Sequence, residues 1–65
     1  MKEIQVFRNE QNMTQAEMAD KIHVSLSYLQ KIENGKNPSF NFLRKIKEQF
    51  AEDVDMNRFF NKNAP

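Results

Sequence analysis

The chain has 65 residues with no cysteine, one histidine and a formal net charge of +1 at pH 7. This length predicts one domain with a small core, and the absence of cysteine excludes disulfides and thiolate metal sites. The N-terminal residues lack the apolar run of a signal peptide, and no stretch is apolar enough to span a membrane. We therefore expect a cytoplasmic protein without a metal, a cofactor or a membrane partner.

Residues 2–11 predict a first helix. Ile4 and Phe7 lie three positions apart and so share one helical face, and Asn12 stands where a helix can end in a left-handed residue. Val6 lies off this face, so it is either half-buried or available to a partner.

Two short helices with a tight connection follow between residues 14 and 35. Thr14 and Glu17 have the spacing of a capping box, and Ser25 can cap the second helix. Asn34-Gly35 ends it, because both residues tolerate the left-handed conformation. So short a connection favours a steep crossing of the two helices, which is the helix-turn-helix arrangement.

Ser39 predicts the cap of a fourth helix that runs to about Ala51. The apolar stripe assigned to it consists of Phe40, Leu43, Ile46 and Phe50, and Phe42 lies off that stripe. A last short helix, capped by Asp53 or Asp55, contains Met56, Phe59 and Phe60.

The pattern predicts an all-α domain of four to five helices over residues 1–60, with a frayed tail at 61–65. The predicted core consists of Ile4, Phe7, Met13, Met18, Ala19, Ile22, Val24, Leu29, Ile32, Leu43, Ile46, Phe50 and Phe59.

Charge is distributed unevenly along the chain. Residues 1–20 hold two basic and four acidic residues, residues 21–47 hold six basic residues and one acidic residue, and residues 48–55 hold four acidic residues. This asymmetry is either an accident of solvated surface or a face directed at a polyanion.

The motif carries a family resemblance. FR at 7–8, MTQAEMADKI at 13–22 and VSLSYLQKIENGKNPS at 24–39 resemble the lambda-repressor-like, Cro/cI-type helix-turn-helix regulators over roughly residues 2–60. The resemblance implies sequence-specific binding to double-stranded DNA by a transcriptional regulator of the repressor type, with the helix at 25–34 in the major groove.

The resemblance also implies roles for individual residues. Base reading falls to Ser25, Leu26, Ser27, Gln30 and Lys31, with Gln30 matched to adenine and Lys31 to guanine. Phosphate binding falls to Thr14, Gln15, Tyr28, Asn34, Lys36, Asn37 and Ser39. Arg8 and Glu33 match a partly buried ion pair of the family. Leu26 instead packs on the domain edge in an alternative interpretation, and Tyr28 instead covers Ile32.

His23 departs from the family pattern, which has glycine in the turn. It is either a strained turn residue without chemistry or a pH-sensitive phosphate contact. Arg44, Lys45 and Lys47 are interpreted as a solvated face.

The apolar residues outside the main stripes allow two further interpretations. Either they are incompletely buried, or they form a homodimer patch of Val6, Phe42, Met56 and Phe60. A protein-interaction module, antirepressor- or antitoxin-like, on the same scaffold is the alternative function. No residue pattern indicates an enzyme or a small-molecule substrate.

Overall fold

The structure, a computed structural model, describes residues 2–51 and 54–59. Its elements are α1 (Lys2–Glu10), α2 (Gln15–Lys21), α3 (Leu26–Glu33), α4 (Phe40–Phe50) and a 3₁₀ helix (Met56–Phe59). All regular structure in these ranges is helical, which confirms the all-α class. The predicted cap at Asp53, the patch residue Phe60, the domain boundary at 60 and the tail at 61–65 lie outside the described residues.

None of the helices in the described ranges has the length and apolar character needed to cross a membrane.

The first three helices end in the same way. Each is followed by a residue with positive φ, namely Asn12 at 58°, His23 at 62° and Gly35 at 121°. After α2, His23 N–H donates to Asp20 O at 3.3 Å and Val24 N–H donates to Ala19 O at 3.0 Å. This pair of bonds is the Schellman motif, and equivalent pairs close α1 and α3. The sharp turns of the chain are therefore set by three left-handed residues.

Helices α2, α3 and α4 also begin in a common way. Thr14, Ser25 and Ser39 have extended backbones, and each side-chain oxygen accepts from the backbone N–H three residues later. At α2 the Glu17 carboxylate also accepts from Thr14 N–H at 2.9 Å, which completes a capping box. Left-handed residue and N-cap are separated by one residue in the first two turns, so the connections are short.

The core joins one face of every helix. Its members, all less than 8% exposed, are Ile4, Phe7, Met18, Ala19, Ile22, Leu29, Ile32, Phe42, Leu43, Ile46, Phe50 and Phe59. Met13 and Val24, which were predicted as core residues, are only partly buried against it. The Phe7 ring meets Phe50 at 5.1 Å and Phe59 at 5.9 Å, both edge-on, which ties α1 to α4 and to the 3₁₀ helix.

The predicted stripe on α4 is wrong at its first position. Phe40 is 77% exposed, whereas Phe42 is 1% exposed and packs edge-on against Tyr28 at 5.6 Å. Phe42 therefore does not belong to a surface patch. At about 100° per residue, a stripe that uses Phe42 spans an arc of about 100°, and one that uses Phe40 spans about 120°. The narrower arc is the one that faces the core.

Candidate nucleic-acid interface

One side of α3 is buried and the other is open. Leu29 and Ile32 are fully buried. The residues predicted to read bases all lie on the exposed side of α3 or at its cap: Ser25, Leu26, Ser27, Gln30 and Lys31. Leu26 is 41% exposed, so an apolar side chain stands among polar and basic ones. The helix thus presents hydrogen-bonding groups together with one apolar contact surface.

Ser25 caps the start of α3. Its Oγ accepts from Tyr28 N–H at 3.0 Å, which satisfies one of the free N–H groups of the first turn. The hydroxyl hydrogen is not consumed by this bond, since the oxygen is the acceptor. The first turn of α3 contains no acidic residue, so its positive dipole end is not neutralised.

Arg8 and Glu33 join α1 to the end of α3. Arg8 Nε donates to Glu33 Oε2 at 2.7 Å and Nη2 donates to Oε1 at 3.1 Å, a bidentate pair. Their side chains are 11% and 4% exposed. Arg8 Nη1 also donates to Met13 O at 2.9 Å, which fixes the turn after α1.

The pair shifts both ionisations. The hydrogen bond to Glu33 raises the pKa of Arg8 further above its usual value, despite burial that acts the other way. Burial alone would raise the pKa of Glu33, but hydrogen bonds from Arg8 and Gln15 outweigh it, so that pKa is lowered. Both groups are therefore charged at neutral pH.

Gln15 lies at the first position of α2 and contacts α3. Its Nε2 donates to Glu33 Oε1 at 2.9 Å, and its Oε1 accepts from Gln30 Nε2 at 3.4 Å. Sequence reasoning treated Gln15 as a phosphate ligand alone and missed both contacts. No sequence signal marks them, because residues 15 and 33 meet only through the packing of α2 on α3.

The segment after α3 carries the other predicted phosphate ligands. Asn34, Lys36, Asn37 and Ser39 are all exposed, and Thr14 is exposed at the start of α2. Tyr28 Oη accepts from Ser39 N–H at 3.4 Å and lies 3.4 Å from Ser39 Oγ. Tyr28 is half-buried by its contact with Phe42, so its ring packs inward while its hydroxyl stands beside the cap of α4.

The charges of residues 25–39 are divided between the surface and the interior of the domain. The basic residues Lys31 and Lys36 are exposed, and the acidic residue of this segment, Glu33, is turned inward onto Arg8. The outward surface of the segment is consequently positive, although the whole chain is close to neutral. Such a surface attracts a polyanion at short range.

His23 and Lys45 form a contact beside this segment. Lys45 Nζ donates to His23 O at 3.1 Å, which secures the left-handed turn between α2 and α3. Lys45, predicted as part of a solvated face, is half-buried. Arg44 is exposed and pairs with Glu48 at 3.1 Å on its own helix.

A comparison with protein families decides the classification. The model of a family described as helix-turn-helix matches residues 4–57. The chain belongs to the Cro/cI-type helix-turn-helix family. No curated protein and no solved structure matched the chain.

Family membership identifies α2 and α3 as the helix-turn-helix pair. The family is a DNA-binding, regulatory and typically non-enzymatic one, so the chain is a DNA-binding helix-turn-helix domain that serves transcription regulation. The turn of the motif is the His23–Ser25 connection, and the face that α3 leaves open is the surface described above.

Proposed function

We propose that this helix-turn-helix domain is a sequence-specific repressor that places α3 in the major groove of double-stranded DNA. The observation that supports this is the division of α3 into a buried apolar side and an open side with Ser27, Gln30 and Lys31, while Glu33 is withdrawn into an ion pair. Amide and ammonium groups are the partners that adenine and guanine edges accept. A cytoplasmic location would give it access to genomic DNA.

Phosphate contacts supply the affinity in this proposal. The ligands are Thr14, Gln15, Tyr28, Asn34, Lys36, Asn37 and Ser39, all on the rim of the α2–α3 pair or in the loop that follows it. If about five phosphates are contacted, log K falls against log salt with a slope of about −4 to −5.

Selection from random duplex DNA, followed by salt titration on the selected site, tests the proposal. We expect a defined site and the slope above. Failure to enrich any sequence, or binding that is insensitive to salt, would contradict it. Repression is tested by placing the selected site over a promoter, where expression of a reporter gene should fall when the protein is present.

We also propose that the domain binds DNA as a homodimer, as is usual for small regulators that read paired half-sites. The predicted patch needs correction, since Phe42 is buried and Phe60 lies outside the described residues. Val6, which is 42% exposed, and the half-buried Met56 are the remaining candidates.

A protein-interaction role is the second candidate function. A cleft of about 270 Å³ is lined by Phe40, Leu43, Arg44, Lys47 and Met56. The 77% exposure of Phe40 favours an apolar contact with another protein. A partner whose binding is lost in Phe40→Ser, while DNA affinity is unchanged, would support this role.

A further inference from the structure

Glu33 has a neighbour that its ion pair with Arg8 does not explain. Gln15 Nε2 donates to Glu33 Oε1 at 2.9 Å, the same oxygen that accepts from Arg8 Nη2. An ionised carboxylate has no hydrogen to donate. The end of the Gln15 carboxamide that faces Glu33 must therefore be its NH₂ group.

This contact fixes the opposite end of Gln15. With Nε2 held by Glu33, Oε1 points to Gln30 and accepts from Gln30 Nε2 at 3.4 Å. A carboxamide has nearly the same shape in both orientations, so the hydrogen-bond partners decide which atom points where. The orientation of Gln30 is thus set by a chain of bonds that begins at the charge of Glu33.

Gln30 lies on the open side of α3 with one amide end committed. One hydrogen of its Nε2 is given to Gln15, which leaves the second N–H and Oε1 available. These groups form one donor and one acceptor in a fixed order, with the donor on the side of Gln15. Adenine offers the complementary pair, N7 as acceptor and N6 as donor, whereas guanine offers two acceptors and would face Oε1 with a second oxygen.

We propose that Glu33 is a positioning residue for base recognition, which orients Gln30 through Gln15 so that adenine is preferred to guanine. This inference rests on the proposed function, in which Gln30 contacts a base. Glu33 does not touch DNA in this arrangement; it acts through two hydrogen bonds. Its negative charge is the necessary feature, since a neutral amide at this position could meet either end of Gln15.

The test removes the carboxylate while preserving the fold. Glu33→Gln alone leaves Arg8 without its counter-charge, so the variant chosen is Arg8→Met with Glu33→Leu, since apolar replacement of both partners of a buried pair is often neutral for stability. Arg8→Lys, which retains Glu33, is the matched control. Gln30→Ala identifies the base pair concerned, because its preference is lost at that position.

Affinities for the selected site, and for the same site with adenine replaced by guanine at that position, are measured for each protein. The wild type and Arg8→Lys should prefer adenine by about tenfold, the range expected for a bidentate contact. The double variant should retain a thermal unfolding transition and show a ratio lower by about twofold or more, because Gln30 without a fixed neighbour also presents its donor and acceptor in the opposite order. In the Gln30→Ala background, removing the carboxylate should change nothing further.

An unchanged ratio in the double variant would overturn the role of Glu33, while leaving DNA binding intact. If the wild type binds no duplex, the proposed function itself fails. Loss of the ratio in Arg8→Lys as well would assign the effect to the geometry of the ion pair and not to the carboxylate, which also contradicts the inference.

Discussion

At the scale of single residues, two exposed lysines are expected to have different roles in the proposed function, base reading for Lys31 and phosphate binding for Lys36. Lys31 stands on the open side of the helix, and Lys36 stands in the loop after Gly35. A side chain that meets base edges carries sequence information, whereas one that meets phosphate carries charge alone. Replacement of the two residues by alanine should therefore affect DNA binding in different ways.

Lys31→Ala should relax the preference at one base position by about 1–3 kcal/mol of discrimination. Lys36→Ala should weaken binding to all sequences alike and make the salt slope shallower by about 1. Binding to selected and mismatched sites at several salt concentrations measures both. Identical behaviour of the two variants would contradict this assignment.

Acid should remove the contribution of the Arg8–Glu33 pair to folding. The pKa of Glu33 is lower in the folded state than the usual value of about 4.3. Its stabilising contribution is therefore present above that usual value and is lost as the pH falls through the lower, folded-state pKa. Between about pH 5 and pH 3, the wild type should lose free energy of unfolding more steeply than Arg8→Met with Glu33→Leu.

Denaturant unfolding at a series of pH values measures the difference. Glu48→Gln is a suitable control, because Glu48 belongs to an exposed pair with Arg44 and exposed pairs contribute at most about 1 kcal/mol. Equal pH slopes for the wild type and the double variant would show that the buried pair does not make the free energy of unfolding depend on pH.

At the scale of elements, the turns are encoded locally. Helices α1, α2 and α3 each end at a residue with positive φ and a Schellman pair of bonds. Helices α2, α3 and α4 each begin at a Ser or Thr cap. Such signals need only neighbours in sequence. The positions of the helices could therefore be predicted from the sequence, including the left-handed roles of Asn12 and His23.

Contacts between elements could not be predicted in the same way. Phe40 and Phe42 are both consistent with a helical stripe, and the choice depends on how α4 is rotated against Tyr28 and the rest of the core. The bonds from Gln15 to Glu33 and Gln30 depend on how α2 packs on α3. Sequence spacing fixes which residues share a helix face, but it does not fix which faces meet.

The turn of the motif should gain stability from glycine. His23 has a φ of 62°, and a left-handed non-glycine residue costs about 1 kcal/mol or more. His23→Gly should raise the free energy of unfolding by about 0.5–1 kcal/mol, because the relief of strain exceeds the extra chain entropy that glycine loses. Asn12→Gly should change it by less than about 0.5 kcal/mol, since Asn tolerates this conformation better.

Chemical denaturation of the two variants, compared with the wild type, checks this order. Gly35→Ala makes the opposite change, because it replaces a glycine of positive φ with a residue that has a side chain. Nothing lies within 4 Å of an added Cβ, so any loss of stability would come from its φ of 121° and not from a clash. A His23→Gly variant that is less stable than the wild type would mean that the imidazole makes a stabilising contribution of its own.

At the scale of the whole molecule, the domain keeps the polar open side of α3 and the apolar cleft at Phe40 on separate elements. α3 supplies the first, and α4 with the 3₁₀ helix supplies the second. A change in one should therefore leave the other intact. Phe40→Ser should alter the free energy of unfolding by less than about 0.5 kcal/mol, as expected for an exposed position. Phe42→Ala should cost about 3–5 kcal/mol, the range for a buried phenylalanine.

Paired half-sites would give the homodimer a measurable requirement for spacing. Two α3 helices related by a two-fold axis enter successive major grooves on one face of DNA, about 34 Å or one helical turn apart. Insertion of about 5 base pairs, half a turn, between the halves of a selected site turns one half to the opposite face. Affinity should then fall to that of an isolated half-site.

Replacing the same number of central base pairs without changing the spacing is the control, and it should have a much smaller effect. Gel-shift titrations on the three duplexes measure the requirement, and equal affinity for all of them would identify a monomeric binder.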